Sequence, residues 1–361
     1  MTTSNLKSLD SADPFVTIAI PTFNRASWLK DCVVAALAQT YARFEVLVLD
    51  NASTDNTSEE LRAINDQRLR VVRHEKNIGG VGNLIACLEE ARGDYVVFVP
   101  DDDWIAPWML ERCASLVRRE PGIPIVLALS DTHLVDECRL LPARASAILA
   151  TGVWSGVDVL REFLQSRISP VMCTILVRVD AMRAMGGFPP DLPHAGDIAV
   201  WVSLLLTGRA GLVNESCGAY RVHGETQSLQ YATDLRLKDL SRVADLVGNL
   251  AEREISDAQT RRDIQREAKA YFASNALDLI AARRKSGDSL AEVFPDLWRL
   301  RADLSQIGLR AFLRSGRPLA IVVFPRAMTR FIRHVIGLAR RLKSRGARGQ
   351  RYGCQEIAGQ P

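Results

Sequence analysis

Through the first third of the chain, short, mainly apolar runs without strict alternation take turns with longer stretches whose apolar positions recur every three or four residues. Phe15–Ile20 precedes the amphipathic stretch Trp28–Leu37, Phe44–Leu49 precedes Thr57–Ile64, Leu69–Val72 precedes Leu84–Ala91, and Tyr95–Val99 precedes Pro107–Val117. An unbroken apolar run marks a strand covered on both faces, and the longer period marks a helix laid against a sheet. The pattern predicts an α/β fold, doubly wound, with a mostly parallel sheet. From Ile123 to Arg221 it loosens into short strands, turns at Gly152, Gly156 and Gly186-Gly187, and one helical run, Ile198–Leu206; this half is expected to carry specificity. Beyond Tyr231 a charged helical pattern continues through Arg284 and gives way to a stretch punctuated by Pro and Gly. The implied organisation is a disordered lead-in over residues 1–14, an α/β domain over 15–230, an appended C-terminal helical region over 231–345 and a flexible basic tail over 346–361. There is no internal repeat, and the only low-complexity tract is Arg345–Gly353.

Composition adds bounds. The 361 residues are 47% hydrophobic and 24% charged, ordinary for a chain that buries a real core. The seven cysteines, at 32, 87, 113, 138, 173, 217 and 354, contain no C-x-x-C pair. That spacing argues for reduced thiols, with neither a disulfide framework nor a zinc site. The start, Met1–Pro14, lacks the basic and apolar blocks of a signal peptide, and no run reaches the roughly 18 to 20 apolar residues of a membrane span. A cytoplasmic location is expected. The net charge of +4 hides an asymmetry, since Arg310–Arg351 holds twelve Lys or Arg and no Asp or Glu. Such a segment suits anionic lipid headgroups, and no nucleic-acid partner is expected. Within it, Met328, Phe331, Ile332, Val335, Leu338 and Leu342 fall at helical spacing among arginines. Two readings stay open: a helix at a membrane interface, giving peripheral contact with the inner face, or a helix packed on the domain.

In open sheets of this class, ligands bind beyond the carboxyl ends of the strands, where the winding reverses. Three polar clusters fall there: Pro21-Thr22-Phe23-Asn24-Arg25, Asp50–Asp55, and Asp101-Asp102-Asp103. Adjacent ionised carboxylates at a strand end repel one another unless a cation, a helix N-terminus or water takes up the charge. The plain alternative is that Asp103 caps the helix beginning near Pro107. Mg²⁺ or Mn²⁺ would bind through few carboxylates and complete its shell with water and phosphate oxygens, so phosphate chemistry is the first expectation.

Five motifs in order then resemble the family-2 glycosyltransferases, which have the nucleotide-sugar-binding fold called GT-A. They are IAIPTFNR at Ile18–Arg25, VLDNASTDNT at Val48–Thr57, NIGG at Asn77–Gly80, GDYVVFVPDDD at Gly93–Asp103 and YRVH at Tyr220–His223. The similarity spans Phe15–Ser228. It implies inverting transfer from a nucleotide diphosphate sugar donor with a divalent metal. By the same resemblance, Pro21 and Thr22, with Asn24 and Arg25 behind them, frame the donor; Asp50 and Asn51 meet the nucleobase; and Asn77 and Gly79 lie near the phosphates. Asp102 is the implied metal ligand, Asp101 a ribose or metal-side partner and Asp103 a residue facing the donor sugar. Arg221 and His223 belong to a segment that closes over the donor and touches diphosphate or metal. Asp197 is the implied general base, although an Asp at a helix start also serves as a plain cap. Three positions depart from the family pattern: Asn51 stands where a second acid is common, Pro100 takes the first place of D-x-D-D, and Gly196 replaces the first acid of a pair.

The expected function is therefore an inverting, metal-dependent glycosyltransferase acting on a hydroxyl of a cell-surface glycan, lipid-linked or otherwise. Two rivals are a metal-dependent nucleotidyltransferase and a non-catalytic relative that binds sugar nucleotide or glycan. The former lacks its Gly-rich, Lys-bearing loop after the first strand.

Overall fold

The computed structural model describes residues 13–135, 138–141, 148–224, 226 and 230–304. Four apolar runs form parallel strands β1 (Val16–Thr22), β2 (Phe44–Asp50), β3 (Leu69–Arg73) and β4 (Tyr95–Phe98), in the order β3-β2-β1-β4. Helices α1 (Ala26–Leu37), α2 (Thr57–Arg62) and α3 (Gly80–Glu90) connect them, and α4 (Met109–Arg119) follows. Each expected strand and helix in this stretch is present. Two-sided burial explains the mainly apolar runs: Val16, Ile18 and Ile20 enter the core beneath α1 and α4, while Ala19 enters the opposite one.

The second half completes a mixed sheet. Strand β9 (Ile175–Arg178) runs antiparallel between β4 and β6 (Ile125–Leu134), and β6 pairs in parallel with the long β10 (Arg209–Val222). Short β5 (Trp104–Ile105) and β8 (Gly152–Ser155) pair with β10, and β7 (Arg139–Leu141) pairs with β6. Helices α5 (Gly156–Leu164), α6 (Val179–Ala184) and α7 (Gly196–Leu206) cover this half. Every residue of α7 from Ala199 to Leu206 is buried, as a stretch with Ser203 as its one polar side chain requires. At its end only glycine fits position 156, because a Cβ there would stand 1.8 Å from the Leu205 carbonyl oxygen.

The C-terminal region forms α8 (Thr233–Glu254), α9 (Ala258–Ser286) and α10 (Leu290–Leu304). On α8, Leu240, Val243, Val247, Leu250 and Ala251 form one stripe, and with Ile264, Ala268, Phe272 and Ala276 of α9 they join the core that lies over the sheet and α7. These helices thus share the apolar interior of the α/β layer. Cys32, Cys87, Cys113, Cys173 and Cys217 are free and buried. Cys138 is disulfide-bonded, so the expectation of uniformly reduced thiols fails there. Among the described residues no helix is long and apolar enough to cross a membrane. The basic segment Arg310–Arg351, its amphipathic pattern and the tail lie outside the described residues.

Candidate active site

Register assembles the site. Thr22 stands opposite Asp50, and Ala19 stands opposite Phe98 on the other side of β1. That ladder ends there, and Thr22 and Asp101 each lie three residues beyond its last pair. The two side chains meet: the Thr22 hydroxyl donates to Asp101 Oδ2 at 2.6 Å. This is the point where the sheet winds one way from β1 to β2 and the other way to β4, the crevice in which ligands of such sheets sit. From the far side, β5 pairs with β10 through Trp104 and Ala219. The end of β10 is therefore delivered beside the Asp triplet, and the Arg221 main-chain N–H donates to Asp103 Oδ1 at 2.9 Å.

A cleft of about 780 Å³ opens here, lined by Pro21, Thr22, Arg25, Asn51, Asn77, Gly79 and Asp101–Asp103, and by Pro189, His194 and Asp197. Asp102 Oδ2 accepts from the Arg25 guanidinium at 2.8 Å and lies 3.0 Å from His223 Nε2. The His223 ring stacks on Trp28 with centroids 4.9 Å apart, and the Arg221 guanidinium lies over the same indole at 5.6 Å. Asp103 is fully buried, with Oδ2 free of any hydrogen bond of ordinary length and the Cys173 thiol beside it.

Burial dominates the electrostatics. It pushes the Asp101 carboxyl up to about 7, reinforced by the Asp102 charge and opposed by the Thr22 hydroxyl. Burial likewise holds Asp103 well above the ordinary carboxylate range, with Asp102 again adding to it. Ionising carboxyls this crowded and buried calls for a cation beside them. Among the described residues, no three His, Cys, Asp or Glu side chains form a closed metal cage. A hard divalent ion needs only one or two protein ligands when phosphate oxygens and water complete its shell. The convergent Asp102 and His223 donors fit that partial set, with Asp101 and Asp103 flanking them.

Other expected residues take different places. Asn51 is buried and its amide is spent on the loop before α3: Oδ1 accepts from Ile78 N at 2.9 Å, and Nδ2 donates to Asn77 Oδ1 at 3.0 Å and to the Gly79 carbonyl at 3.3 Å. An aspartate cannot donate, which gives a physical reason for the amide at this position. Gly79 then turns into α3 at φ 80, a conformation that favours glycine. Asp50 Oδ1 accepts from Ser53 N, and its other oxygen pairs with Arg73. Asn24 adopts φ 53 and its Oδ1 accepts from Thr54 N at 2.7 Å, tying the first two loops together outside the main cleft.

Asp197 lies in the first turn of α7 and opens onto the cleft. The helix N-cap is Ala195 with no side-chain cap bond, and the Asp197 carboxylate accepts from first-turn main-chain N–H groups, that of Ile198 at 2.8 Å and its own. Burial pushes it up to about 6. Position 196 does not exclude a side chain, since a Cβ would make ordinary contact with Pro189 at 3.5 Å. Sequence reasoning missed Trp28, His194 and Tyr231; the last two line the cleft with rings 5.9 Å apart. The one available signal was the placement of His194 just ahead of α7.

The layout, an α/β sheet with a switch-point cleft carrying an acidic cluster, defines a GT-A-type nucleotide-sugar fold. Residues 17–132 match the family described as Glycosyl transferase family 2. Over 224 residues it is 26% identical to the chondroitin synthase of Pasteurella multocida, covering 60% of this chain and 22% of that protein. The chain thus spans about a fifth of that relative's length. A relative covered more fully is an Escherichia coli protein, UDP-Glc:alpha-D-GlcNAc-diphosphoundecaprenol beta-1,3-glucosyltransferase WfgD, 23% identical over 66% of this chain and 88% of its own. Among solved structures, Staphylococcus aureus TarS 1-349 in complex with UDP-GlcNAc superposes with a TM-score of 0.60 at 16% identity, over 80% of this chain and 88% of that one. Mannosyltransferase PcManGT from Pyrobaculum calidifontis, in complex with GDP-Man and Mn2+, gives 0.53 at 19% identity over 86% and 85%. At these identities the likeness shows the fold.

Proposed function

We propose that this chain is an inverting glycosyltransferase that moves a sugar from a nucleoside diphosphate sugar to a hydroxyl of a cell-surface glycan. The observation that carries the reading is the meeting of Thr22, Arg25 and Asp101–Asp103 in a cleft that Asp197 also lines. In this reading the donor lies along the β1 and β2 ends, with its diphosphate toward Arg25 and Asp102. The Arg25 guanidinium is a fixed cation suited to phosphate oxygens. Asp102 and His223 would hold Mg²⁺ or Mn²⁺, which when bound supplies positive charge to the departing diphosphate.

Asp197 takes the proton of the acceptor hydroxyl as that oxygen forms its bond to the anomeric carbon. The bond from that carbon to the phosphate oxygen breaks, and the electron pair leaves with the nucleoside diphosphate. A carboxylate raised to about 6 is ionised near neutral pH yet more basic than a solvated one, which suits a general base. The sugar nucleotides named with WfgD, TarS and PcManGT support a uridine or guanosine donor.

Thermal unfolding of the full chain with UDP, GDP, UDP-glucose, UDP-GlcNAc and GDP-mannose, each with and without Mn²⁺, tests the assignment. A donor at a hundredfold excess over its Kd is expected to stabilise by about 2.7 kcal/mol. Asp102→Ala is expected to remove the Mn²⁺-dependent part. Release of nucleoside diphosphate separates this reading from a nucleotidyltransferase, which releases pyrophosphate, and from a binding protein, which releases neither. Absence of a shift with every sugar nucleotide sinks the proposal.

A further inference from the structure

The cleft wall that leads into α7 is held from behind by α8. Asp239 of α8 is 0% exposed, and its Oδ2 accepts the main-chain N–H of His194 at 2.9 Å. Its other oxygen, Oδ1, makes no hydrogen bond among the described residues. One helical step away on the same face, Arg242 donates to the main-chain oxygen of Asp191 at 2.6 Å and pairs with the Asp191 carboxylate. Two contacts from one helix thus pin both ends of the short strap Asp191–His194. That strap runs directly into Gly196 and Asp197, and His194 itself stands in the cleft wall against Tyr231.

Burying a carboxylate behind a single main-chain donor is expensive unless the fixed geometry is needed. An apolar residue would pack α8 against the core as Leu240, Val243 and Val247 do. We propose that Asp239 is a positioning residue for the acceptor side of the cleft: from the C-terminal helical region it fixes the Asp191–His194 strap, so that His194 and Asp197 face the acceptor hydroxyl. The inference rests on the reading of this cleft as a glycosyltransferase site. It gives the helical region a part in the chemistry.

The test uses the full chain as Asp239→Ala, Asp239→Asn and Arg242→Ala. Asn keeps an oxygen acceptor for His194 N, and Arg242 is an exposed anchor of the same strap, so at least one variant remains readable if the alanine change impairs folding. Backbone amide exchange over residues 192–198, UDP affinity, and transfer from UDP-glucose to 4-nitrophenyl N-acetylglucosaminide are measured. Asp239→Ala is expected to speed exchange in that segment at least tenfold and to raise the acceptor KM at least tenfold. UDP affinity should stay within twofold, and Asp239→Asn should restore most of each effect.

Unchanged exchange at 192–198 in folded Asp239→Ala overturns the inference, as does a loss of UDP affinity parallel to the loss of transfer. Should the parent chain transfer no sugar and Asp197→Asn change nothing, the glycosyltransferase reading fails on its own, and amide exchange still decides whether Asp239 fixes the strap.

Discussion

Replacing Asp197 by Asn separates burial from chemistry in a single variant. In the native chain, burial raises this carboxyl from an ordinary 3.8 to about 6. At about 1.4 kcal/mol per pH unit, that is ~3 kcal/mol charged against the native state once the group is ionised. The carboxylate opens onto the cleft, where solvent screens part of the charge, so the expected gain for Asp197→Asn is ~1–2 kcal/mol. The sign follows from the direction of the shift. The native state holds the proton more tightly than the unfolded chain, so the stability that the protonated group contributes is fully present below 3.8 and is lost as pH rises through about 6. Parent and variant should therefore diverge between about pH 4 and pH 7 and stay apart above it. Urea unfolding of both proteins at pH 5 and pH 8 measures this. Transfer should fall at least a hundredfold, the usual scale for losing a general base, while nucleoside diphosphate affinity stays within twofold. Equal pH dependence of stability in the two proteins refutes the burial argument, and turnover at the parent rate removes Asp197 from the mechanism.

Asn51→Asp should cost ~1–3 kcal/mol and loosen the 77–79 loop, because a carboxylate would face Asn77 Oδ1 and the Gly79 carbonyl with no donor of its own; chemical denaturation checks it, and a variant as stable as the parent contradicts the assigned bonds. Arg25→Ala should weaken UDP or GDP binding about tenfold, or ~1.4 kcal/mol, by removing the cleft cation that pairs with Asp102; titration calorimetry reads it, and unchanged affinity would place the diphosphate elsewhere.

Much of this protein was legible because its information is local. An unbroken apolar run such as Tyr95–Val99 can satisfy water exclusion only between two layers, so the strands and their helices follow largely from period. Parallel pairing then carries the residues after each strand to one edge, which is why Thr22, Asn51 and Asp101–Asp103 line a single cleft. Strand β5 escaped the pattern because two residues carry no period, yet its pairing with β10 is what brings Arg221 to Asp103.

What only the tertiary structure decided are the partners. Asp102 meets Arg25 and His223 across separations of 77 and 121 residues, and no local pattern encodes which side chain reaches which carboxylate. Asn51 looked like a nucleobase contact, and the folded chain spends its amide on the neighbouring loop. Asp239 reads in sequence as one more acid on a charged helix, whereas packing α8 over α7 buries it against His194. Hydrophobic period is written residue by residue and fixes layers. The pairing of polar groups depends on which surfaces those layers bring within about 3 Å, and that distance exists only once the whole core has closed.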